Sequence, residues 1–243
     1  MNLANGLQLS NGADPGKVNI TADTLVIQGV EHQNVSLVAD LNVLGANGRD
    51  AGSETANSWW SVWVACDGAG LPASLIALLS LSASGPAVPG GETNKLRLGW
   101  MRNDANSNFY RIVNSAGHDL FWWNEDTTQP DFEKIDVSTS PTDFTDVICS
   151  TAAPETCREL MLSIRSNDAS GLDRGVFIRN KDLGNTVAGL GTSIMAIKTL
   201  TGGALQRANT ICGCDSSQTI QYRANKSTND TKIQVMGYRD IRT

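Results

Sequence analysis

The sequence predicts an all-β protein built as an antiparallel sandwich, and three observations carry that expectation. Apolar and polar residues alternate with period two in run after run. The runs are separated by clusters of Gly, Asn and Asp, which accept positive φ and close short loops. Charged residues make up 18% of the chain, below the usual quarter, and helical periodicity is scarce. Many short strands joined by such turns favour a sandwich or barrel. At 243 residues, one large β domain or two small ones fit the length. A chain of this size buries about 70% of its unfolded surface and needs no disulfide or metal to fold.

The elements follow in order. Residues 1–20 are rich in Asn and Gly, with Leu3, Leu7 and Leu9 as the sizeable apolar residues before Val18. They read as an extended N-terminal arm, with those three leucines as its anchors. Val35, Leu37, Ala39, Leu41 and Val43 then share one strand face, and Ser36, Asp40 and Asn42 the other. Gly45-Ala46-Asn47-Gly48 closes a turn. Trp60, Val62, Val64 and Cys66 alternate with Trp59, Ser61, Trp63 and Ala65. The apolar run Leu71–Leu81 reads as a buried strand, since its flanking Ser and Gly residues and short length disfavour a helix. Leu96, Leu98 and Trp100 alternate with Lys95, Arg97 and Gly99, and the basic residues are expected on a solvated face. Later strand runs are 160–164, 175–178, 219–222 and 232–236. Residues 129–142, with Pro130 and Pro141, are either a linker or a long Greek-key connection. The second is preferred, because neither half shows an obvious strand set of its own. The expected organisation is therefore an arm over 1–20 and a sandwich over 21–243, with an internal boundary, if any, near 129–142.

The net charge of −6 favours solubility and argues against a broad nucleic-acid or anionic-membrane footprint. No basic start followed by an apolar run marks a secretory signal. No stretch reaches the roughly 18 apolar residues of a membrane span. The chain is expected to be made in the cytoplasm and to stay soluble.

Residues that carry chemistry are sparse. His32 and His118 are far apart and in no metal-ligand pattern. His118 and Asp119 are adjacent, but neighbours on a strand point to opposite faces. No nucleophile elbow or phosphate-binding glycine loop is present. Carboxylates pair in loops at Asp50 with Glu54, Glu125 with Asp126, and Asp131 with Glu133, without the pattern of a glycosidase site. Asn124, Glu125 and Asp126 offer oxygen ligands for calcium, but their spacing matches no EF-hand. The five cysteines, at 66, 149, 157, 212 and 214, make an odd count that does not read as a secreted disulfide framework. Buried free thiols are the plain reading, and a Cys149–Cys157 disulfide is the alternative. The expectation is a protein that is not an enzyme and uses no cofactor or metal.

The tryptophans are less ordinary. Adjacent pairs at Trp59-Trp60 and Trp122-Trp123 place one ring on each face of a strand. One ring fills the core. The other meets a second sheet, a subunit interface or a sugar, since aromatics are enriched at interface hot spots. Trp59, Trp63 and Trp122 are the interface candidates.

Taken together, certain runs resemble a known group. Ala22-Asp23-Thr24-Leu25-Val26-Ile27 leads to residues 35–41, then to Gly45-Ala46-Asn47-Gly48-Arg49-Asp50-Ala51-Gly52-Ser53-Glu54. Residues 59–64, 77–80 and 86–89 follow, then Leu98-Gly99-Trp100-Met101-Arg102-Asn103-Asp104, and Val235-Met236-Gly237-Tyr238-Arg239-Asp240 closes the set. The order resembles tailed-bacteriophage virion proteins of the head-fibre, decoration and tail-fibre type. Where such sequences often read Gly-Leu-Asp-Thr-Gly, this chain reads Gly48-Arg49-Asp50-Ala51-Gly52, a change in a turn. The resemblance implies a jelly-roll-like sandwich, a homotrimer, an N-terminal arm that attaches to capsid, neck or tail, and location in the virion. It transfers no catalytic residue. The rival expectation is a receptor-binding module that recognises bacterial surface glycans through exposed Trp and Asn/Asp loops.

Overall fold

The computed structural model describes residues 3–11, 14–67, 75–114, 119–125, 131–167, 174–183, 195–199 and 206–240. The described chain is all-β, with antiparallel sheets in a sandwich-like arrangement and short 3-10 turns but no α-helix. It divides into two compact units, Met1–Glu125 and Asp126–Ile241. The sequence predicts a sandwich over 21–243 with an internal boundary, if any, near 129–142, and the division falls just before that stretch. The residues expected as a long connection, 129–142, instead contain a strand of the second unit, Glu133–Val137.

Unit 1 begins with β1 (Leu3–Asn5), β2 (Gln8–Asn11), β3 (Lys17–Ile27) and β4 (Val30–Leu44). It continues through β5 (Gly48–Arg49), β6 (Trp59–Cys66), β7 (Ile76–Ser80) and β8 (Asn94–Arg102), and ends with the hairpin β9 (Ile112–Asn114) and β10 (Leu120–Trp123). The first eight strands form one sheet in the order β1-β3-β4-β5-β7-β6-β8, with β2 also on β3. The β3–β4 hairpin turns through Gln28 and Gly29, both at positive φ. This is the turn hand that matches strand twist.

A crease crosses the first strands. The pairs Asn5↔Thr24 and Gln8↔Thr21 keep one register, so Gly6 falls opposite Asp23. By the same count Asp23 falls opposite Asn34. Gly6 and Asn34 take positive φ, at 63° and 54°. The buried parity changes there on both long strands. Ile20 and Ala22 face inward before the crease, and Leu25 and Ile27 after it. On β4, His32 is inward on one side of the crease, and Val35, Ala39 and Leu41 on the other. Gly6 is required: a Cβ there would lie 2.3 Å from the Asp23 carboxylate.

The N-terminal segment is not a free arm. β1 and β2 pair antiparallel with β3, and Leu7 and Leu9 are fully buried. The physical reason is alternation: Leu7 and Leu9 fall in register beside the inward Ala22 and Ile20, so four apolar side chains leave water together. Asn114 of β9 fixes the segment from its other side. Its Oδ1 accepts from Leu9 N at 2.8 Å, and its Nδ2 donates to Leu7 O at 2.8 Å.

β6 and β8 are buried on both faces. Trp60, Val62 and Val64 lie on one face, and Ser61, Trp63 and Ala65 on the other. Two of the three basic residues of β8 are not solvated, contrary to expectation, and Lys95 is half-buried. Arg97 and Arg102 are buried. Arg97 stands 5.6 Å from the Trp100 ring centre, Arg102 5.9 Å from Trp59 and Lys95 5.8 Å from Trp63. Cation–π attraction and the apolar stems of these side chains allow that burial. A bulge at Leu98, seen as Val62↔Gly99 followed by Trp63↔Arg97, bends the strand there.

Unit 2 holds β11 (Glu133–Val137), β12 (Thr145–Ile148), β13 (Cys157–Asn167), β14 (Arg174–Asn180), β15 (Met195–Thr199), β16 (Gln206–Gly213), β17 (Thr219–Ala224) and β18 (Asp230–Asp240). β13 is flanked by β16 and β18, and β11 adds to β18. The other sheet runs β12-β17-β14-β15. The alternating runs expected at 160–164, 175–178, 219–222 and 232–236 fall in β13, β14, β17 and β18.

If β2 belongs to the core, Leu9→Ala should cost about 2–5 kcal/mol, the range for a buried leucine truncation. Urea unfolding measures this. A variant as stable as the parent would return residues 1–20 to the status of an arm.

Candidate functional site

The β9–β10 hairpin presents the candidate contact surface. Its register sets Trp122 directly opposite Val113, and Trp123 opposite Ile112. Alternation sends the two tryptophans to opposite faces. Trp123 is buried, with ring centres 5.8 Å from Trp59 and 6.2 Å from Tyr110, the latter edge-on. Trp122 is 39% exposed and Val113 52% exposed. A large aromatic and a β-branched residue thus sit side by side on an outward face, at the close spacing of cross-strand neighbours. Arg111 N, just before β9, donates to Glu125 Oε1 at 2.7 Å and ties down the hairpin's open end.

The structure divides the other expected contact residues. Trp59 is half-buried between Trp123 and Arg102. Trp63 is a core residue and not an interface residue. It packs with Ala65 and Leu78 beneath Ile76 and Val88, and its Nε1 donates to Ser61 Oγ at 2.7 Å. The loop carrying Val88 covers this face, so the second layer over Trp63 comes from the chain itself. Leu7 and Leu9 are core, as described above. Leu3 pairs with Val26 in β1.

Sequence reasoning missed a cavity. β5 stands between β4 and β7, parallel to both, with Gly48 level with Asp40 and Leu78. Along residues 31–37 the same edge of β4 has no partner strand among the described residues. There a cavity of about 700 Å³ opens, lined by residues 31–37 and Leu75. His32 is 4% exposed, and neither ring nitrogen has a hydrogen-bond partner among the described residues. A lone histidine in a polar run gives no sequence signal of this. The crease at Asn34 creates it by reversing which residues of β4 face inward.

Several of the other titratable candidates are engaged structurally. Asp50 Oδ2 accepts from Ala87 N at 2.9 Å. Glu133 and Asp136 hold Lys232 at 2.8 and 2.9 Å. Hydrogen bonding to that ammonium keeps the Asp136 carboxyl below its usual range. His118 and Asp126 lie outside the described residues, and with Asp126 goes one member of the calcium trio. Among the described residues no group of three or more His, Cys, Asp or Glu is placed to hold a metal ion.

All five cysteines are free and buried. Cys157 has Cys214 as its sulfur neighbour, at 3.8 Å, and not the Cys149 suggested by sequence separation. Burial pushes the Cys149 and Cys212 thiols up to about 12.

No known protein family matches the sequence, and no curated protein aligns with it significantly.

The state of His32 is directly testable. An unpartnered buried polar group costs about 1–3 kcal/mol, so His32→Leu should raise stability in urea unfolding. A loss of stability would show that the imidazole has a partner.

Proposed function

We propose that the chain is a structural subunit of a tailed-bacteriophage virion, a fibre or decoration protein that associates with copies of itself and with capsid, neck or tail proteins. The exposed Trp122–Val113 pair on the paired strands β9 and β10 is the observation that carries the self-association. Full burial of such a side chain is worth about 1.5–3 kcal/mol, and covering the exposed part of Trp122 and Val113 recovers a fraction of that for each. Tryptophan is the residue type most enriched among interface hot spots. The ordered motifs of residues 22–104 and 235–240 support the virion reading by resemblance, as they support a trimer and a jelly-roll-like course of the strands.

A second feature supports a structural role. The strand frame spends its chemistry-bearing side chains on internal contacts. Arg179 lies 3.8 Å from the Phe144 ring centre and donates to Gln221 at 2.9 Å. Gln221 in turn donates to Asp146, which pairs with Lys181 at 2.6 Å. Lys232 is likewise committed between Glu133 and Asp136. Such contacts tie neighbouring strands of unit 2 to one another.

Attachment through Leu7 and Leu9 forms no part of the proposal, since both are core.

Light scattering of the purified chain is expected to report a trimer. Trp122→Ala should weaken association at least tenfold, the effect of losing a residue worth about 1.4 kcal/mol or more, with an unchanged melting temperature. A variant that remains fully associated would place the subunit contact elsewhere. A wild-type chain that is monomeric at every concentration would remove self-association from the proposal.

A further inference from the structure

We propose that Cys157 and Cys214 are a covalent modification site, closed to a disulfide by hydrogen peroxide while the other three cysteines stay reduced.

The geometry rests on the end of the β13–β16 ladder. Glu159 pairs with Gly213, and beyond that pair Cys214 N donates to Arg158 O at 3.1 Å. The two backbones therefore stay at adjacent-strand spacing where the cysteines sit. Strict alternation would leave Cys157 and Cys214 on opposite faces, because Arg158 and not Cys157 is level with Cys214. The bulge prevents this. On the β18 side, Cys157↔Asp240 is followed by Glu159↔Arg239, so Arg158 is an extra residue. Arg158 is exposed, and Cys157 turns inward to lie beside Cys214 with the sulfurs 3.8 Å apart. Closing to a bond of about 2.05 Å asks for side-chain rotation between residues already at bridging distance.

The pair also divides the two chemical roles. The two thiols share a hydrogen bond in which either sulfur can donate, and that contact, with nearby Arg158, holds the Cys214 thiol below its usual range. Cys214 is also the more exposed of the two, at 5% against 0%, so it is the first thiolate to meet peroxide, and the thiolate is the nucleophile. Its sulfur attacks one peroxide oxygen; an S–O bond forms, the O–O bond breaks, and the departing hydroxide takes a proton and leaves as water. Cys214 is then a sulfenic acid. The Cys157 sulfur attacks it; the S–S bond forms, the S–O bond breaks, and the hydroxyl leaves as a second water with the Cys157 proton. Two thiols are oxidised and one peroxide is reduced to two waters. Cys149 and Cys212 are pushed up to about 12 by burial, and burial raises Cys66 as well. Those three remain thiols.

The test uses the full-length protein. It is treated with hydrogen peroxide, quenched, alkylated in denaturant and mapped by mass spectrometry without reduction. One linked peptide joining Cys157 to Cys214 is expected, lighter by two hydrogens, with Cys66, Cys149 and Cys212 alkylated. Reductant should restore alkylation at all five. In the Cys157→Ser variant, Cys214 should be trapped as a sulfenic acid that dimedone labels. In Cys214→Ser, Cys157 should stay reduced. Five alkylated cysteines after peroxide, or a link through Cys149 or Cys212, would overturn the assignment. Dimedone labelling of Cys157 in the Cys214→Ser variant, at the rate seen for Cys214 in the other variant, would overturn the roles.

Discussion

Gly99 has no side chain, and unit 1 depends on that. A Cβ at this position would lie 2.7 Å from Phe121 Cζ and 3.1 Å from Leu9 Cδ1. Phe121 comes from β10 and Leu9 from β2, so the bare backbone of β8 is where three segments far apart in sequence meet. The contact explains several features at once. Leu9 and Phe121 are fully buried, Asn114 on the neighbouring strand bonds the backbone of β2, and β8 bulges at Leu98, immediately before the glycine. The bulge re-aims the strand, and the missing side chain makes the space. Interiors packed at crystal density leave no room for even one added methyl at such a point.

From that meeting point the burial spreads outward. β6 and β8 have no solvent face in their centres, so each needs cover on both sides. Trp60, Met101 and Leu96 supply one layer, and the Trp63, Ala65 and Leu78 cluster under Val88 supplies the other. The basic residues of β8 are drawn in by the same demand, their charges placed over aromatic rings. What remains outward is correspondingly informative. Trp122 and Val113 are left in water on a hairpin whose other face is packed, which is why the proposed subunit contact is placed there.

The strand content was legible in the sequence because period-two alternation is a local property. The runs at 35–43, 59–66, 95–101, 160–164 and 232–236 all fall in strands. The split of Trp122 from Trp123 was legible for the same reason. Whether an outward residue on β6 would meet solvent was not legible, because the cover over Trp63 comes from a loop more than twenty residues on. The arm reading of residues 1–20 failed similarly: leucines scattered among Asn and Gly look too sparse for a core, but Leu7 and Leu9 need only complete a row already begun by Ala22 and Ile20. His32 was invisible because the crease that buries it depends on Gly6, Asp23 and Asn34 lining up across strands. The Cys157–Cys214 proximity depends on the bulge at Arg158, and no spacing rule reports a bulge.

The two units carry different parts of the proposal. Unit 1 holds the outward tryptophan and the buried N-terminal strands, and unit 2 holds the thiol pair and the ion-paired Lys181 and Lys232. Residues 3–11 are fixed into unit 1 by β3 on one side and Asn114 on the other. Native-state amide exchange read at Leu9 and its neighbours tests this most directly. Protection comparable to that of β3 is expected, with loss of that protection in Asn114→Asp, where a carboxylate can no longer donate to Leu7 O. Exchange at Leu9 as fast as in an unstructured peptide, in the parent protein, would contradict it.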